Sequence, residues 1–309
     1  MGTFYEINHL TKKDQITAII PTLCEAVRHD SLLRAIDSLL GQTVVPAKII
    51  IVVNGDLFDH ILLEELQRRP DLEVCYRPEA NVGGARYAAL DRVDTEFFCF
   101  LDDDDEYLPD ALSIRLAAIT GESGIDVVVS NGYRILDGEE ILVCANMLAI
   151  ERDPIGSLVR YAWLTSCAGL YRTHSIGSEF FGAESRYLEW TYLAFLLALT
   201  KRIAFVQEPT YRIHDSPGSV SKSEAYRRAG PEVLKAMLAF EIDPAIRRAM
   251  RLKYVDVLHA LSDHYRKSGE MGFAWAYHVR SLGAPAGFLR YLAYTRKLLL
   301  SRRYCKYRR

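Results

Sequence analysis

The chain has 309 residues, of which 50% are hydrophobic and 25% are charged, and its formal net charge at pH 7 is −2. This composition is typical of globular proteins and excludes a disordered or fibrous chain. The near-neutral charge indicates no nucleic-acid partner, and the length suits one large domain or a domain with a substantial extension.

The first third of the chain alternates short β-branched segments with helical periodicity, which is typical of a parallel sheet covered by helices. The segments ITAIIP and KIIIVV are almost continuously apolar, as expected for strands buried on both faces. Each runs directly into polar residues at its carboxyl end, where α/β sheets bind ligands. The predicted elements are, in order, the strand 16–21, the helix 31–42, the strands 48–53 and 72–77, a glycine-containing turn into a helix over 81–93, and the strand 96–101.

The next part of the chain mixes strands and helices. Asp137 and Gly138 give a hairpin signal between the segments IDVVVSNGYRI and EILVCANML, and SCAGLYR and IAFVQ are further strand candidates. From about Lys222 onward, apolar residues recur three and four positions apart, which predicts helices. We therefore predict an α/β domain over residues 1–221 and a helical extension over residues 222–309.

Cysteine usage and hydropathy indicate the compartment. The cysteines are scattered without CxxC pairing, which favours buried free thiols in a reducing compartment over a disulfide or zinc framework. The N-terminal segment MGTFYEINHLTKKDQ lacks the apolar core of a signal peptide, and no uninterrupted apolar stretch approaches the roughly 18 residues that a membrane span requires. We expect a cytoplasmic protein. The six cysteines are Cys24, Cys75, Cys99, Cys144, Cys167 and Cys305.

The segment FLDDDDEYLP, residues 100–109, ends an apolar strand in four consecutive aspartates. Four like charges repel one another, so such a site has either raised pKa values or a bound cation. In an extended segment side chains alternate, so Asp102 and Asp104 would face one side while Asp103 and Asp105 face the other. Carboxylates suit Mn²⁺ or Mg²⁺, which complete their coordination shells with substrate phosphates, and this favours a diphosphate ligand. The alternative is a solvated acidic turn that caps the following helix.

Five motifs in order along residues 16–115 resemble those of the family 2 glycosyltransferases, which have the GT-A fold. The resemblance implies a GT-A Rossmann-like mixed sheet with flanking helices, a nucleotide-binding half over about 16–115, and an acceptor half over about 116–221. It further implies an inverting transferase that uses a nucleotide sugar. The motifs are AIIPT, SLLRAIDSLLGQ, IVVNGD, NVGGAR and FLDDDDEYLP.

The same resemblance implies roles for the residues at the ends of the first strands. Pro21 and Thr22 would line the pocket for the nucleotide base. Asn54 takes the place of an aspartate that contacts the base, and Arg86 takes that of a nucleotide-facing arginine. The segments LCEAVR and VVNGD depart from the usual family motifs YNR and VVDDGS, so they leave the nucleotide preference open.

For the aspartates, the resemblance implies a division of roles between donor and metal. Asp102 would face the ribose or the sugar, and Asp103 is assigned with it to donor binding. Asp104 would bind the metal ion, Mn²⁺ or Mg²⁺, that bridges the diphosphate. If the register is shifted by one residue, Asp103 or Asp105 would bind the metal instead.

Two segments of the second half also resemble family motifs. In FFGAESRYLEWTYLAFLLAL, Glu189 takes the place of the carboxylate that deprotonates the acceptor hydroxyl, Leu188 stands where a glutamate is usual, and Glu184 is the competing candidate. In YRIHDSPGSVSKS, His214 is predicted to complete the metal shell. The polar stretch containing Gly218, Ser219 and Ser221 follows it and is expected to fold over a diphosphate.

We therefore predict a metal-dependent transfer of a sugar from a nucleoside-diphosphate donor to an acceptor hydroxyl, in polysaccharide or glycoconjugate synthesis. A UDP-sugar is the favoured donor. The alternative is a non-catalytic nucleotide-sugar-binding or scaffolding protein of the same fold. Residues 285–309 hold eight Lys and Arg residues and no acidic residue. This basic C-terminus suggests peripheral contact with the inner face of a membrane and a lipid-linked glycan as acceptor, whereas the alternative is a solvated helix end.

Overall fold

A computed structural model describes residues 15–80, 82–181, 188–215 and 222–304. The described residues form one mixed sheet of nine strands with helices packed around it, followed by a series of C-terminal helices. The predicted fold class, a mixed sheet with flanking helices and a helical extension, is confirmed. The strands are β1 Ile16–Thr22, β2 Lys48–Asn54, β3 Leu72–Arg77, β4 Phe97–Phe100, β5 Glu106–Tyr107, β6 Val127–Leu136, β7 Glu139–Leu142, β8 Gly169–Arg172 and β9 Ile203–His214.

The strand order across the sheet is β3-β2-β1-β4-β8-β6-β9-β5, and β7 pairs with β6. The first four strands of this order are parallel, whereas β8 is antiparallel to both of its neighbours. Strands β1 and β4 are wholly buried, as their apolar sequences predict. Ile19 of β1 lies opposite Phe100, the last residue of β4. The residues that follow β4 therefore run beside the carboxyl end of β1, where Thr22 lies.

The hairpin predicted at Asp137 and Gly138 is present. Both residues have positive φ angles, 51° and 85°, which suit a tight turn between β6 and β7. One prediction was displaced: α3 begins at Val82, so Gly83 and Gly84 lie inside the helix and not in a turn before it. The helices are α1 His29–Leu40, α2 His60–Gln67, α3 Val82–Leu90, α4 Ala111–Gly121, α5 Met147–Arg152, α6 Pro154–Ser157, α7 Glu189–Thr200, α8 Glu224–Leu238, α9 Pro244–Lys267, α10 Met271–Gly283, α11 Gly287–Tyr291 and α12 Tyr294–Tyr304.

The chain divides into two compact units. One consists of residues 1–154 and 162–217, and the other of residues 155–161 and 218–309. In the second unit, the buried side chains of α9, α10 and α12 form a core cluster of Leu261, Tyr265, Ala274 and Leu298. The assignment of nucleotide-binding and acceptor halves to the first unit stays a prediction.

The cysteine side chains and the hydropathy of the helices bear on the predicted compartment. The five cysteines in the described part of the chain are free thiols, and four of them are buried. Among the described residues, no helix combines the length and the apolar character needed to cross a membrane.

Candidate active site

The four aspartates form a turn and do not continue β4 as an extended segment. β4 ends at Phe100, and the backbone N–H of Asp105 donates to the carbonyl oxygen of Asp102 at 3.1 Å. The predicted alternation, which pairs Asp102 with Asp104 and Asp103 with Asp105, was therefore wrong. In the turn, Asp103 and Asp104 share one arginine, whereas Asp102 and Asp105 contact other residues.

Asp103 and Asp104 face the end of β1 and share an arginine. The hydroxyl of Thr22 donates to Asp103 at 2.6 Å. Arg28 contacts Asp103 at 3.3 Å and Asp104 at 2.6 Å. Arg34 of α1 donates to the carbonyl oxygen of Asp104 at 2.9 Å. Two arginines thus fix the middle of the turn, and Thr22 ties it to β1.

Asp102 faces the opposite side of the turn and is linked to Glu189 through one guanidinium. Arg86 donates to Asp102 at 2.8 Å and, through its other terminal nitrogen, to Glu189. The Arg86 side chain is 4% exposed, and both carboxylates are 34% exposed. The guanidinium carbon also lies 4.7 Å from the centre of the Trp190 ring, a cation–π contact that fixes the guanidinium further. α3 therefore holds together the acidic turn and the first residue of α7.

The start of α7 is shaped by an unusual backbone conformation. Leu188 precedes the helix with φ 60°, in the left-handed region that residues other than glycine seldom adopt. Glu189 is the first helical residue, so its carboxylate lies at the positive end of the helix dipole. The predicted base, Glu189, and Asp102 thus contact the same arginine, although Arg86 and Glu189 lie 103 positions apart in sequence.

Asp105 is the buried member of the turn and acts structurally. Its carboxylate accepts from the thiol of Cys167 at 3.1 Å and from the backbone N–H of His214 at 3.0 Å. Burial, and next the negative charges of Asp102 and Asp104, raise its pKa well above the ordinary value for an aspartate. This carboxyl links the turn to β9 and to the segment before β8. The hydroxyl of Ser166 in the same segment donates to Asp102 at 2.6 Å.

Burial also acts on Asp103, whose side chain is 14% exposed. Loss of hydration raises its pKa to about 6, against the lowering effects of the Thr22 hydrogen bond and the Arg28 charge. A carboxyl with this pKa carries its negative charge at neutral pH and loses it in mild acid.

Asn54, which was predicted to contact the nucleotide base, lies at the end of β2 beside Thr22. Its amide nitrogen donates to the carbonyl oxygen of Thr22 at 2.8 Å. Its Oδ1 atom is buried and has no hydrogen-bond partner. Pro21 is buried within β1. An unpartnered buried acceptor is costly unless a ligand supplies the donor.

The carboxylate oxygens of the turn are the type of ligand that a hard divalent cation prefers. Among the described residues, no group of three His, Cys, Asp or Glu side chains is placed to hold a metal ion. Mn²⁺ or Mg²⁺ needs only one or two protein carboxylates when a diphosphate supplies further oxygens, so Asp104 fits as a ligand. His214 is engaged elsewhere: its Nε2 atom lies 3.3 Å from Glu106, and its backbone N–H bonds to Asp105. Its metal-binding role stays a prediction.

Sequence reasoning missed Arg28 and Ser166, which contact three of the four aspartates. Arg28 had a signal, because it ends the segment LCEAVR, which follows the AIIPT motif. Ser166 had none, since nothing in SCAGLYR marks a polar contact. Glu184, Gly218, Ser219 and Ser221 lie outside the described residues, and so does the asparagine of the NVGGAR motif.

The chain is similar to known proteins in sequence and in fold. Residues 17–160 match the model of Glycosyl transferase family 2. The chain is similar to residues 1–349 of S. aureus TarS in complex with UDP-GlcNAc, with a TM-score of 0.59 and 17% sequence identity, over 83% of this chain and 75% of that one. For the same protein in complex with UDP, the TM-score is 0.56 and the identity 16%, over 83% of this chain and 74% of that one. A search of the curated proteins found no match.

The mixed sheet and the family match over residues 17–160 indicate a glycosyltransferase with the GT-A fold. More particularly, residues 17–160 are a family 2 glycosyltransferase domain, which confirms the resemblance seen in the sequence motifs.

Proposed function

We propose that the protein transfers a sugar from a UDP-sugar to the hydroxyl group of an acceptor, with inversion at the anomeric carbon. The observation that carries this proposal is the arginine bridge from Asp102 to Glu189. It places a carboxylate of the acidic turn and a second carboxylate, at the start of α7, around one guanidinium. A donor-facing group and a base must lie this close for a single displacement at one carbon atom.

A UDP-sugar is favoured by two observations. The solved structures of TarS contain UDP-GlcNAc and UDP, and the two chains share a fold. The unpartnered Oδ1 atom of Asn54 is a buried acceptor at the end of β2, where α/β sheets bind nucleotides. Uracil has an imide N–H that can donate to it. A base that presents only an acceptor there would leave two acceptors facing each other.

The chemistry assigns one role to each side of the site. Glu189 accepts the proton of the acceptor hydroxyl as the oxygen attacks the anomeric carbon. The bond from that carbon to the diphosphate oxygen breaks, and its electron pair leaves with UDP. The diphosphate needs no protonation to depart, so one carboxylate base suffices. Arg86 holds the Glu189 carboxylate in place before the acceptor binds.

Asp104, with Asp102 or Asp103 beside it, would hold Mn²⁺ or Mg²⁺, and the ion would neutralise charge developing on the leaving diphosphate. Arg28 contacts both Asp104 and Asp103. Its guanidinium can pair with phosphate in a bidentate geometry. We propose a hydroxyl of a lipid-linked glycan as acceptor, in polysaccharide or glycoconjugate synthesis, because the basic C-terminus favours an anionic surface.

Thermal shift with nucleotide sugars tests the donor. UDP or UDP-GlcNAc at about 100 times its dissociation constant should stabilise the protein by about 2.7 kcal/mol. Dependence of the shift on Mn²⁺ and its removal by EDTA would support a metal at the turn. If GDP and ADP sugars stabilise the protein and UDP sugars do not, the nucleotide assignment is wrong.

Turnover tests the base. Glu189→Gln should lower kcat for UDP release by about 10² to 10⁴, the range for loss of a general base, with unchanged UDP binding. Glu122→Gln, at an exposed carboxylate paired with Arg202, is the matched control and should keep full activity. Glu184→Gln separates the competing candidate. A Glu189→Gln enzyme with wild-type kcat would contradict the assignment.

A further inference from the structure

We infer that the last helices of the chain form a docking surface for an anionic lipid bilayer. We name this surface the C-terminal apolar face and define it as Phe288, Leu289, Leu292, Leu299 and Leu300. Their exposed fractions are 54%, 91%, 46%, 54% and 47%. Single exposed apolar residues are ordinary on protein surfaces, but five within 13 positions are not.

Their spacing places them on outward sides of the short helices. Leu292 follows Phe288 by four positions and Leu289 by three, which puts the three side chains on one helical face around α11. Within α12, Leu299 and Leu300 follow the exposed Arg296 by three and four positions and share its side.

The opposite side of the same helices is anchored in the helical unit. Leu298 is 0% exposed and belongs to the core cluster of that unit. Asp256 of α9 accepts from Arg290 at 2.8 Å and from the Tyr291 hydroxyl at 2.7 Å. Asp263 of α9 accepts from the Tyr294 hydroxyl at 2.7 Å. α11 and α12 are therefore held with defined sides, and the apolar side faces outward as part of the folded structure.

Charge identifies the partner. Residues 301–309, which follow these leucines directly, have the sequence SRRYCKYRR, with five Lys and Arg residues and no acid. Basic residues adjacent in sequence to exposed Phe and Leu residues are a composition that adsorbs to anionic membranes, where apolar groups enter the acyl boundary and cations meet lipid phosphates. A second copy of the chain fits less well, because a two-fold interface at this face would bring the exposed Arg296 close to its own copy.

Vesicle binding tests the inference and is independent of the donor proposal, because it needs no substrate. The full-length protein is sedimented with phosphatidylcholine vesicles containing about 30% phosphatidylglycerol, and with vesicles of phosphatidylcholine alone. We expect at least about tenfold stronger binding to the anionic vesicles, and a loss of that preference at high salt because surface charges are screened.

Two matched double variants separate the apolar face from general surface hydrophobicity. Phe288→Ser with Leu289→Ser should weaken binding at least about tenfold, since both side chains would enter the acyl boundary. Leu57→Ser with Ile61→Ser, at residues 87% and 80% exposed in the other compact unit, should leave binding unchanged. Leu289→Ser alone serves if the first pair lowers the melting temperature.

Three results would overturn the inference. They are equal binding to neutral and anionic vesicles, equal loss of binding in the two double variants, and a wild-type dimer that the Phe288 and Leu289 variants convert to a monomer. The last result would assign the C-terminal apolar face to a second copy of the chain. If UDP still stabilises the protein in any of these cases, the proposed donor remains supported although the membrane inference fails.

Discussion

Substitution of Arg86 tests the site most directly, because this one side chain joins the acidic turn to the predicted base. The substitution Arg86→Met removes the guanidinium and keeps an unbranched apolar stem to pack near Trp190. It leaves Asp102 and Glu189 without their shared cation. The two carboxylates would then repel each other, and Glu189 would lose the contact that orients it.

The cost follows from burial. Removing one partner of a fully buried ion pair costs about 3–5 kcal/mol. Arg86 is 4% exposed, but Asp102 and Glu189 are each 34% exposed, so water can hydrate the released carboxylates. The free energy of unfolding should therefore fall by about 2–3 kcal/mol, below the range for fully buried pairs. kcat should fall together with stability, because the position of the base is lost.

Urea unfolding followed by circular dichroism measures the first quantity, and UDP release measures the second. Arg68→Met is the matched control, because Arg68 forms an exposed pair with Glu64 one helical turn away. Such a pair contributes about 0.3–0.5 kcal/mol. If Arg86→Met unfolds within about 0.5 kcal/mol of the wild type and retains its kcat, the bridge neither stabilises the site nor positions the base.

Three further outcomes are expected. Because the native pKa of Asp103 is about 6 and the ordinary value is 3.8, the native state binds the proton more tightly. As the pH rises from about 4 to about 6.5, the unfolding free energy of the wild type should therefore fall by up to about 3 kcal/mol relative to that of Asp103→Asn. A difference between the two proteins that stays constant across this range would contradict the raised pKa. Asn54→Asp replaces the donor to the Thr22 carbonyl with an oxygen and should lower the unfolding free energy by about 1–3 kcal/mol, whereas an unchanged melting temperature would show that the hydrogen bond contributes nothing. Gly132→Ala places a methyl group 2.4 Å from the buried Tyr211 ring and should cost at least about 1–3 kcal/mol, whereas Gly121→Ala, with no atom within 4 Å, should be neutral, so equal melting temperatures for the two variants would refute the clash.

Local patterns of the sequence predict the parallel strands and the hairpin. β1 and β2 are continuous apolar segments with polar ends, and such segments fit only strands buried on both faces. Asp137 and Gly138 adopt the positive φ angles that their types tolerate. These features depend on residues that are neighbours in sequence, so periodicity and turn chemistry suffice to find them.

The contacts within the site depend on tertiary structure, so sequence patterns predict them less well. The alternation rule for extended chains misplaced the four aspartates, because pairing of β4 stops at Phe100 and the following backbone turns. The pattern places Arg86 on a helix after a glycine pair, yet its two partners lie 16 and 103 positions away. No local pattern encodes which of several carboxylates an arginine will reach.

Arginines compensate much of the negative charge of the four adjacent aspartates. Arg28 neutralises the Asp103 and Asp104 side, Arg86 neutralises Asp102, and Asp105 has a raised pKa that favours its neutral form. The protein's own side chains therefore offset most of the repulsion among these carboxylates. Arg28 is 25% exposed and can exchange a carboxylate for a diphosphate oxygen at small desolvation cost, whereas the buried Arg86 cannot. Arg28 is therefore the arginine that can turn to a bound ligand, whereas Arg86 keeps Asp102 and Glu189 together.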